Sequence, residues 1–244
     1  LSKFYLLIKT VFRSMLIQGS MNFERMHNLG IIYILLPALK VIYKDEEKLK
    51  EVVKGHLEFY NCHPYMSSFV LGTVIKLEEK RQRGELPNGN FISQVKTGMM
   101  GPLAAMGDLF FWRTLRPIAA VIAVTFALNG YLYAPLVFLV LYNIPHICIR
   151  VAGVFLGYKE DVKIIKKIQS FNVNNIVKVF GAIGIFFSAV LFANILHWDI
   201  VTIPNIYYFA ILFFALFLLK RGIKVLNIFA IFMVITFIFQ LIKG

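Results

Sequence analysis

The chain has 244 residues, of which 59% are hydrophobic and 16% charged, and it carries a net charge of +13. Soluble domains hold about 45–50% apolar and about 25% charged residues, so this composition belongs in a membrane. The 24 Phe and 11 Tyr exclude disorder, the two Cys exclude a disulfide scaffold, and a basic excess on so apolar a chain fits cytoplasmic loops facing anionic headgroups rather than nucleic acid.

Position sorts the charge. Residues 1–116 hold 16 of the 26 Lys+Arg and 10 of the 13 Asp+Glu, whereas 117–244 is mostly apolar with basic punctuation. The expected fold is therefore an all-α integral membrane protein of two regions. Residues 1–116 form an amphipathic and re-entrant helical region with a cytoplasmic face, and 117–244 form a transmembrane helical region. Leu1 in place of Met points to a trimmed start or an unusual start codon. Residues 4–17, interrupted by Lys9 and Arg13 and lacking a small-residue cleavage site, do not read as a signal peptide.

Residues 22–43 read as a kinked helix on or dipping into the bilayer, with Asn22 as its cap and Glu24 in the first turn. The apolar stretch 29–39, interrupted by Gly30 and Pro37, falls short of the roughly 20 residues needed to span. Residues 45–60 repeat Leu49, Val52, Val53, His56, Leu57 and Tyr60 at helical spacing beneath a charged outer face. Asn61-Cys62-His63-Pro64 breaks the chain, and Pro64 suits the first position of a helix running to Arg83 and closed by Gly84. The charged end of that helix, Glu78-Glu79-Lys80-Arg81, reads as a solvated face suited to the helix dipole. A turn at 87–90 leads to a short amphipathic helix at 91–98 and then to a break rich in small residues at 98–108, including Gly98, Gly101, Pro102 and Gly107.

Beyond Trp112-Arg113-Thr114-Leu115-Arg116-Pro117 the apolar runs lengthen. Residues 118–157 read as a hairpin of one short and one long arm, interrupted at Asn129-Gly130 and Pro135, with basic residues at both ends. Spans are expected at 179–196, 206–219 and 225–242, with an external link at 197–205 that lacks Lys and Arg. The positive-inside rule then puts the N-terminus in the cytoplasm and the C-terminus outside.

Few residues invite chemistry. Cys62 and His63 are adjacent and Cys148 is remote, which suits neither a zinc site nor an activated thiol. Ser67-Ser68 lacks a nucleophile elbow, and Gly98-Met99-Met100-Gly101 lacks the Lys-Ser/Thr of a phosphate loop. His27, His56, His146 and His197 stand singly and read as packed or interfacial. No catalytic residue, metal or cofactor is expected. Asp108, Arg113 and Arg116 differ because ionisable groups at membrane depth suggest a substrate path or a buried pair, the alternative being arginines that snorkel to the interface. Helices broken at Gly and Pro expose backbone groups that can grip polar cargo, so the residues themselves lead to a transport protein with broken helices.

Four ordered blocks carry a family resemblance: Met21-Asn22-Phe23-Glu24-Arg25-Met26-His27-Asn28-Leu29-Gly30; Pro37-Ala38-Leu39; His56-Leu57-Glu58-Phe59-Tyr60-Asn61-Cys62-His63-Pro64; and Gly101-Pro102-Leu103-Ala104-Ala105-Met106-Gly107-Asp108 with Phe111-Trp112 and Leu115-Arg116-Pro117-Ile118. In this order they resemble the enzyme IID subunit of mannose/fructose/sorbose-family sugar phosphotransferase systems, over about residues 18–158 and more loosely beyond. The resemblance implies a permease subunit of the bacterial inner membrane that pairs with an enzyme IIC subunit in a hetero-oligomer. Cytoplasmic IIA and IIB carriers would relay phosphate from phosphoenolpyruvate to a hexose of the mannose, fructose, sorbose or N-acetylhexosamine class, and the IID subunit would not itself be phosphorylated. On this reading Asn61 and His63 lie near the sugar path and Asp108 with Arg113 forms a buried pair or gate. Pro64, Gly98, Gly101, Pro102, Gly107, Trp112, Arg116 and Pro117 shape the motif. The rival reading is a scaffold that stabilises IIC and docks IIB through residues 44–96 without touching sugar. Two departures stand out: Arg113 replaces the family's usual small residue after Phe-Trp, and 179–205 is shorter than usual.

Overall fold

The computed structural model describes residues 2–86, 90–170 and 172–195, and further on 213–214, 217–218, 220–223 and 227. The link at 197–205 and most of the spans expected at 206–219 and 225–242 lie outside the described residues. Contacts divide the chain into a unit over Leu1–Leu191 and a second over Phe192–Gly244, and the first carries everything below.

Helix α1 (Lys3–Ser14) starts where the Ser2 hydroxyl accepts the Tyr5 N–H, and Leu6, Leu7, Thr10, Val11 and Ser14 form its buried stripe. The next helix does not begin at Asn22. Residues 22–27 make a tight turn in which the Asn22 side chain accepts the Arg25 N–H at 2.8 Å and donates to Asn28 Oδ1 at 2.8 Å, while Met26 adopts a positive φ of 56°. Asn22 is spent on this turn, so α2 begins six residues later (Asn28–Ile42) and buries Gly30, Ile31, Ile34, Leu35, Ala38 and Leu39. Gly30 is required there, because a Cβ would stand 2.2 Å from the Ile17 carbonyl oxygen.

Helix α3 (Glu46–His56) is capped by Asp45, whose carboxylate accepts the Lys48 N–H at 2.8 Å. Its outer face is charged, and Val52 and His56 point inward. Helix α4 (Ser67–Gln82) starts three residues after Pro64, which sits buried in the preceding turn instead of opening the helix. Gly84, at φ 73°, ends it. The charged end of α4 departs from a solvated face: Glu78 is 0% exposed.

The expected break at 98–108 is absent. Helix α5 (Phe91–Gly107) runs through Gly98, Gly101 and Pro102, passes into a π-helical stretch (Asp108–Leu115), and continues as α6 (Arg116–Leu128), with Pro117 in its first turn. The irregularity is therefore a widened turn eight residues long, displaced toward Phe111-Trp112. The compositional division at residue 116 falls within this continuous 38-residue rod. At 1.5 Å per residue the rod is about 57 Å long, nearly twice a hydrocarbon core of about 30 Å, so one end extends beyond it.

After a turn at 129–133 the chain returns as α7 (Ala134–Glu160), then forms α8 (Lys163–Ser170) and α9 (Val173–Ile195). Among the described residues three helices are long and apolar enough to cross a membrane, Phe91–Leu128, Ala134–Glu160 and Val173–Phe192, and no strand forms. The molecule is an all-α membrane protein.

Helices α4 and α7 form its central crossing, and small residues bring the backbones together. A Cβ on Gly72 would lie 2.1 Å from Val154 O, one on Gly153 2.0 Å from Ser68 Oγ, and one on Gly157 2.3 Å from Phe69 O. Ser68 Oγ donates to Ile149 O at 3.2 Å and Thr73 Oγ1 to Gly157 O at 3.3 Å, so the same residues that permit close approach also bond across it.

Candidate functional site

The π-helical stretch meets the 61–64 turn at His63. This imidazole is 2% exposed, stacks on Phe111 at 5.3 Å between ring centroids, and is flanked by Trp112 at 4.7 Å and Tyr65 at 4.9 Å. Gly107 forms the fourth wall, with room for no side chain: a Cβ would lie 2.3 Å from His63 Cγ. The widened turn rotates Phe111 and Trp112 onto the ring that Gly107 admits. Burial, reinforced by the Arg150 charge, pushes the His63 imidazole down to about 4, so it is neutral near pH 7. Its Nδ1 accepts the Tyr65 N–H at 3.3 Å, which leaves the proton on Nε2, and Nε2 is buried without a partner. A buried donor without an acceptor inside an aromatic box is costly, and suits a hydroxyl or carbonyl oxygen that arrives from outside.

Helix α7 supplies the next layer. Tyr142, His146 and Arg150 lie four residues apart on one face. Tyr65 stacks on His146 at 4.4 Å, its hydroxyl meets that of Tyr142 at 3.1 Å, and the Arg150 guanidinium lies 4.9 Å from the Tyr65 ring. Arg150 is also bonded through Nη1 to Ser14 of α1, which ties the amphipathic N-terminal helix to the site. These residues stand outside the motifs that point to the site, although their spacing of four within an apolar run is a usable signal.

The structure brings some of the anticipated residues together and separates others. Asn61 is exposed beside His63, with its N–H on Met100 Sδ at 3.3 Å. Cys62 is buried, and burial pushes its thiol up to about 11, so it stays protonated. Asp108 is half-buried, next to Gly107 and near enough to Cys62 for its charge to add to that shift. Asp108 and Arg113 form no ion pair: Arg113 is exposed and lines a separate cavity of about 380 Å³ with Pro117 and residues of α9. Arg116 is exposed at the start of α6, Trp112 is half-exposed, and Gly98, Gly101 and Pro102 lie on an open face of α5. Among the described residues no three His, Cys, Asp or Glu side chains converge to hold a metal.

A second histidine centre, not anticipated, joins α3, α4 and α5. His56 Nε2 lies 2.8 Å from Glu78 Oε1, and Glu78 Oε2 accepts the Tyr43 hydroxyl at 2.7 Å. On the other side His56 Nδ1 faces Lys96 Nζ at 3.4 Å, and Lys96, 1% exposed, is ion-paired with Glu58 at 2.7 Å. Ser93 Oγ donates to Glu58 at 2.6 Å. Lys96 has only protons to offer, so His56 must accept at Nδ1 and donate from Nε2 to Glu78. Burial alone would raise the Glu78 carboxyl, but the His56 and Tyr43 hydrogen bonds and the Arg81 charge hold it below the usual carboxylate range. A polar cavity of about 510 Å³ opens over this centre.

Comparison with known proteins agrees with the resemblance. The family model described as "PTS system mannose/fructose/sorbose family IID component" matches residues 5–243. The chain is 37% identical over 199 residues to the mannose-specific EIID component of Escherichia coli (strain K12), covering 81% of this chain and 69% of that one. It is 32% identical over 192 residues to the fructose permease IID component of Bacillus subtilis (strain 168), covering 79% and 69%. Among solved structures it is similar to a chain of the mannose transporter ManYZ in complex with microcin E492, with a TM-score of 0.64 and 29% identity over 97% of this chain and 95% of that one. A second membrane-protein structure gives a TM-score of 0.76 at 28% identity, covering 97% and 96%. The chain belongs to the mannose/fructose/sorbose-family IID components, the membrane transport components of sugar phosphotransferase systems.

Proposed function

We propose that this chain forms, with an enzyme IIC subunit in the bacterial inner membrane, the translocation unit for a hexose of the mannose, fructose, sorbose or N-acetylhexosamine class. Cytoplasmic IIA and IIB carriers phosphorylate the sugar and the chain itself takes no phosphate. The observation that carries this reading is the unpartnered Nε2 of His63 inside its aromatic box. Aromatic faces pack on the C–H faces of a hexose while a neutral N–H donates to a ring or hydroxyl oxygen. Asn61 lies exposed at the rim, with amide groups able both to donate and to accept. Asp108, at the junction of α5 and the π-helical stretch, acts as the gate on its own, since Arg113 points to another cavity.

The test is sugar uptake by cells carrying the matching IIC and IIB. His63→Ala and Asp108→Ala together should reduce uptake at least ten-fold while the complex still assembles. Unchanged uptake would overturn the assignment and favour the scaffold reading, in which residues 44–96 dock IIB and the sugar is held by IIC alone.

A further inference from the structure

On the flank where α7 faces α5 and α9, two apolar hollows of about 300 and 290 Å³ adjoin. They share Met66, Met106 and Ile149, so they form one groove with two lobes. One lobe reaches Pro145 and Cys148 and the other reaches Leu156. The groove thus follows α7 for twelve residues, eleven steps or about 16 Å at about 1.5 Å per residue. The walls given by α5, the π-helical stretch, α7 and α9 belong to the candidate membrane spans, where the surroundings are hydrocarbon, whereas Met66, Phe69 and the α8 residues lie outside those spans. Interiors are close-packed, so a dry apolar groove of this length is completed by something apolar.

The charge at one end says what kind of molecule completes it. Helix α8 turns Ile164 and Ile168 inward to line the groove, Lys167 stands at its edge, and Lys163 and Lys166 are exposed on the outer side. The two acids of this segment are already neutralised, Glu160 by Lys167 at 2.9 Å and Asp161 by an ion pair with Lys80. Exposed Lys159, Lys163 and Lys166 are left without an ion pair among the described residues. An apolar trough ending in an unneutralised basic cluster is complementary to a molecule with a long hydrocarbon chain and an anionic head.

We propose that this groove is a binding site for one anionic phospholipid, with an acyl chain along α7 between Pro145 and Leu156 and its phosphate at Lys163 and Lys166. The lipid has a route to the transport site. Phe111 lines the groove and stacks on His63, so the chain in the groove supports the ring that walls the box.

The membrane complex containing this chain, extracted in mild detergent and weighed by native mass spectrometry, should retain phosphatidylglycerol or cardiolipin. Retention should fall at least five-fold in Lys163→Gln/Lys166→Gln, where both changes are on the exposed face and leave the core untouched. It should fall equally in Ala152→Phe, which fills the groove while keeping the charge. In nanodiscs, phosphatidylglycerol with a diazirine in its acyl chain should label the peptide containing Cys148 and Ile149, and excess unlabelled phosphatidylglycerol should compete where phosphatidylcholine does not. Equal competition by phosphatidylcholine would overturn the proposal, as would crosslinking of Cys148 to a IIC helix or to residues 196–244 in the absence of lipid.

Discussion

His56 and His63 are seven residues apart and both buried, yet their surroundings differ in kind. His56 has a partner on each nitrogen, and its partners are bonded in turn to Tyr43, Glu58 and Ser93, so the polar network closes across three helices. His63 sits in a box of aromatic rings with one nitrogen bonded and the other empty. A satisfied buried network fixes how helices pack and offers no hydrogen bond to a ligand. An unsatisfied donor costs about 1–3 kcal/mol and stabilises nothing until an acceptor arrives. On the proposed function the two centres separate the work of holding the subunit together from the work of meeting its cargo, and mutations should separate them too.

The largest effect is expected at the closed network. Glu78→Ala removes the acceptor shared by His56 and Tyr43 at a site that is 0% exposed. The His56 Nε2–H and the Tyr43 hydroxyl are then buried donors without an acceptor, at about 1–3 kcal/mol each. Thermal unfolding of the purified complex should show a large drop and the yield should collapse, with Glu78→Gln recovering part of it. His63→Ala should leave the complex assembled and impair uptake. Equal instability of the two variants would dissolve the distinction.

Acid should separate the centres next. The folded-state value of His63, about 4, lies below its unfolded value of 6.5. The unfolded chain therefore binds a proton that the folded chain refuses, and stability falls as pH drops from about 6.5 toward 4. Between pH 7 and 5 the loss is roughly 2 kcal/mol. His27, also pushed down by burial, adds to the same window. Glu78 is a carboxylate held below its ordinary value of 4.5, so its stabilisation is present above that value and is lost only as pH falls further. Unfolding followed across pH 7 to 5 should show His63→Phe losing less stability than the parent, and no such change in Glu78→Gln.

Much of the wild-type arrangement was legible in the residues. The hydrophobic excess, the α3 periodicity and the stop at Gly84 follow from local rules, and the block order around His63 points to the family. The misreadings share a cause: local chemistry was judged without the neighbour that overrides it. Asn22 looks like a helix cap until Asn28 competes for its side chain. Glu78 looks solvated beside Glu79, Lys80 and Arg81 until the 3.6-residue period turns it toward His56. Lys96 carries no local signal of burial, because a lone lysine in an amphipathic stretch is usually exposed, and only Glu58, 38 positions away, makes its burial possible. Gly98, Gly101 and Pro102 suggested a break, but two glycines and a proline are tolerated in a helix whose ends are held elsewhere.

The smallest effects test the distinction within a single motif, because the glycines of α5 share a helix and differ only in what they face. Gly107 abuts His63, and the atoms a methyl would strike are Cβ and Cγ, near the root of the side chain, so the ring cannot swing aside at its tip. Gly107→Ala should cost about 1–3 kcal/mol through overpacking and should lower uptake further than its stability loss explains, since the displaced group is the proposed sugar contact. Gly98 and Gly101 have nothing within 4 Å of a built Cβ. Gly98→Ala should therefore stabilise the isolated chain by about 0.5–1 kcal/mol, because alanine gives up less conformational freedom in a helix. Measured again in the assembled complex, the same substitution distinguishes a lipid-facing from a protein-facing surface: a gain that persists means lipid, and a gain that turns into a loss means that another helix lies against this face of α5.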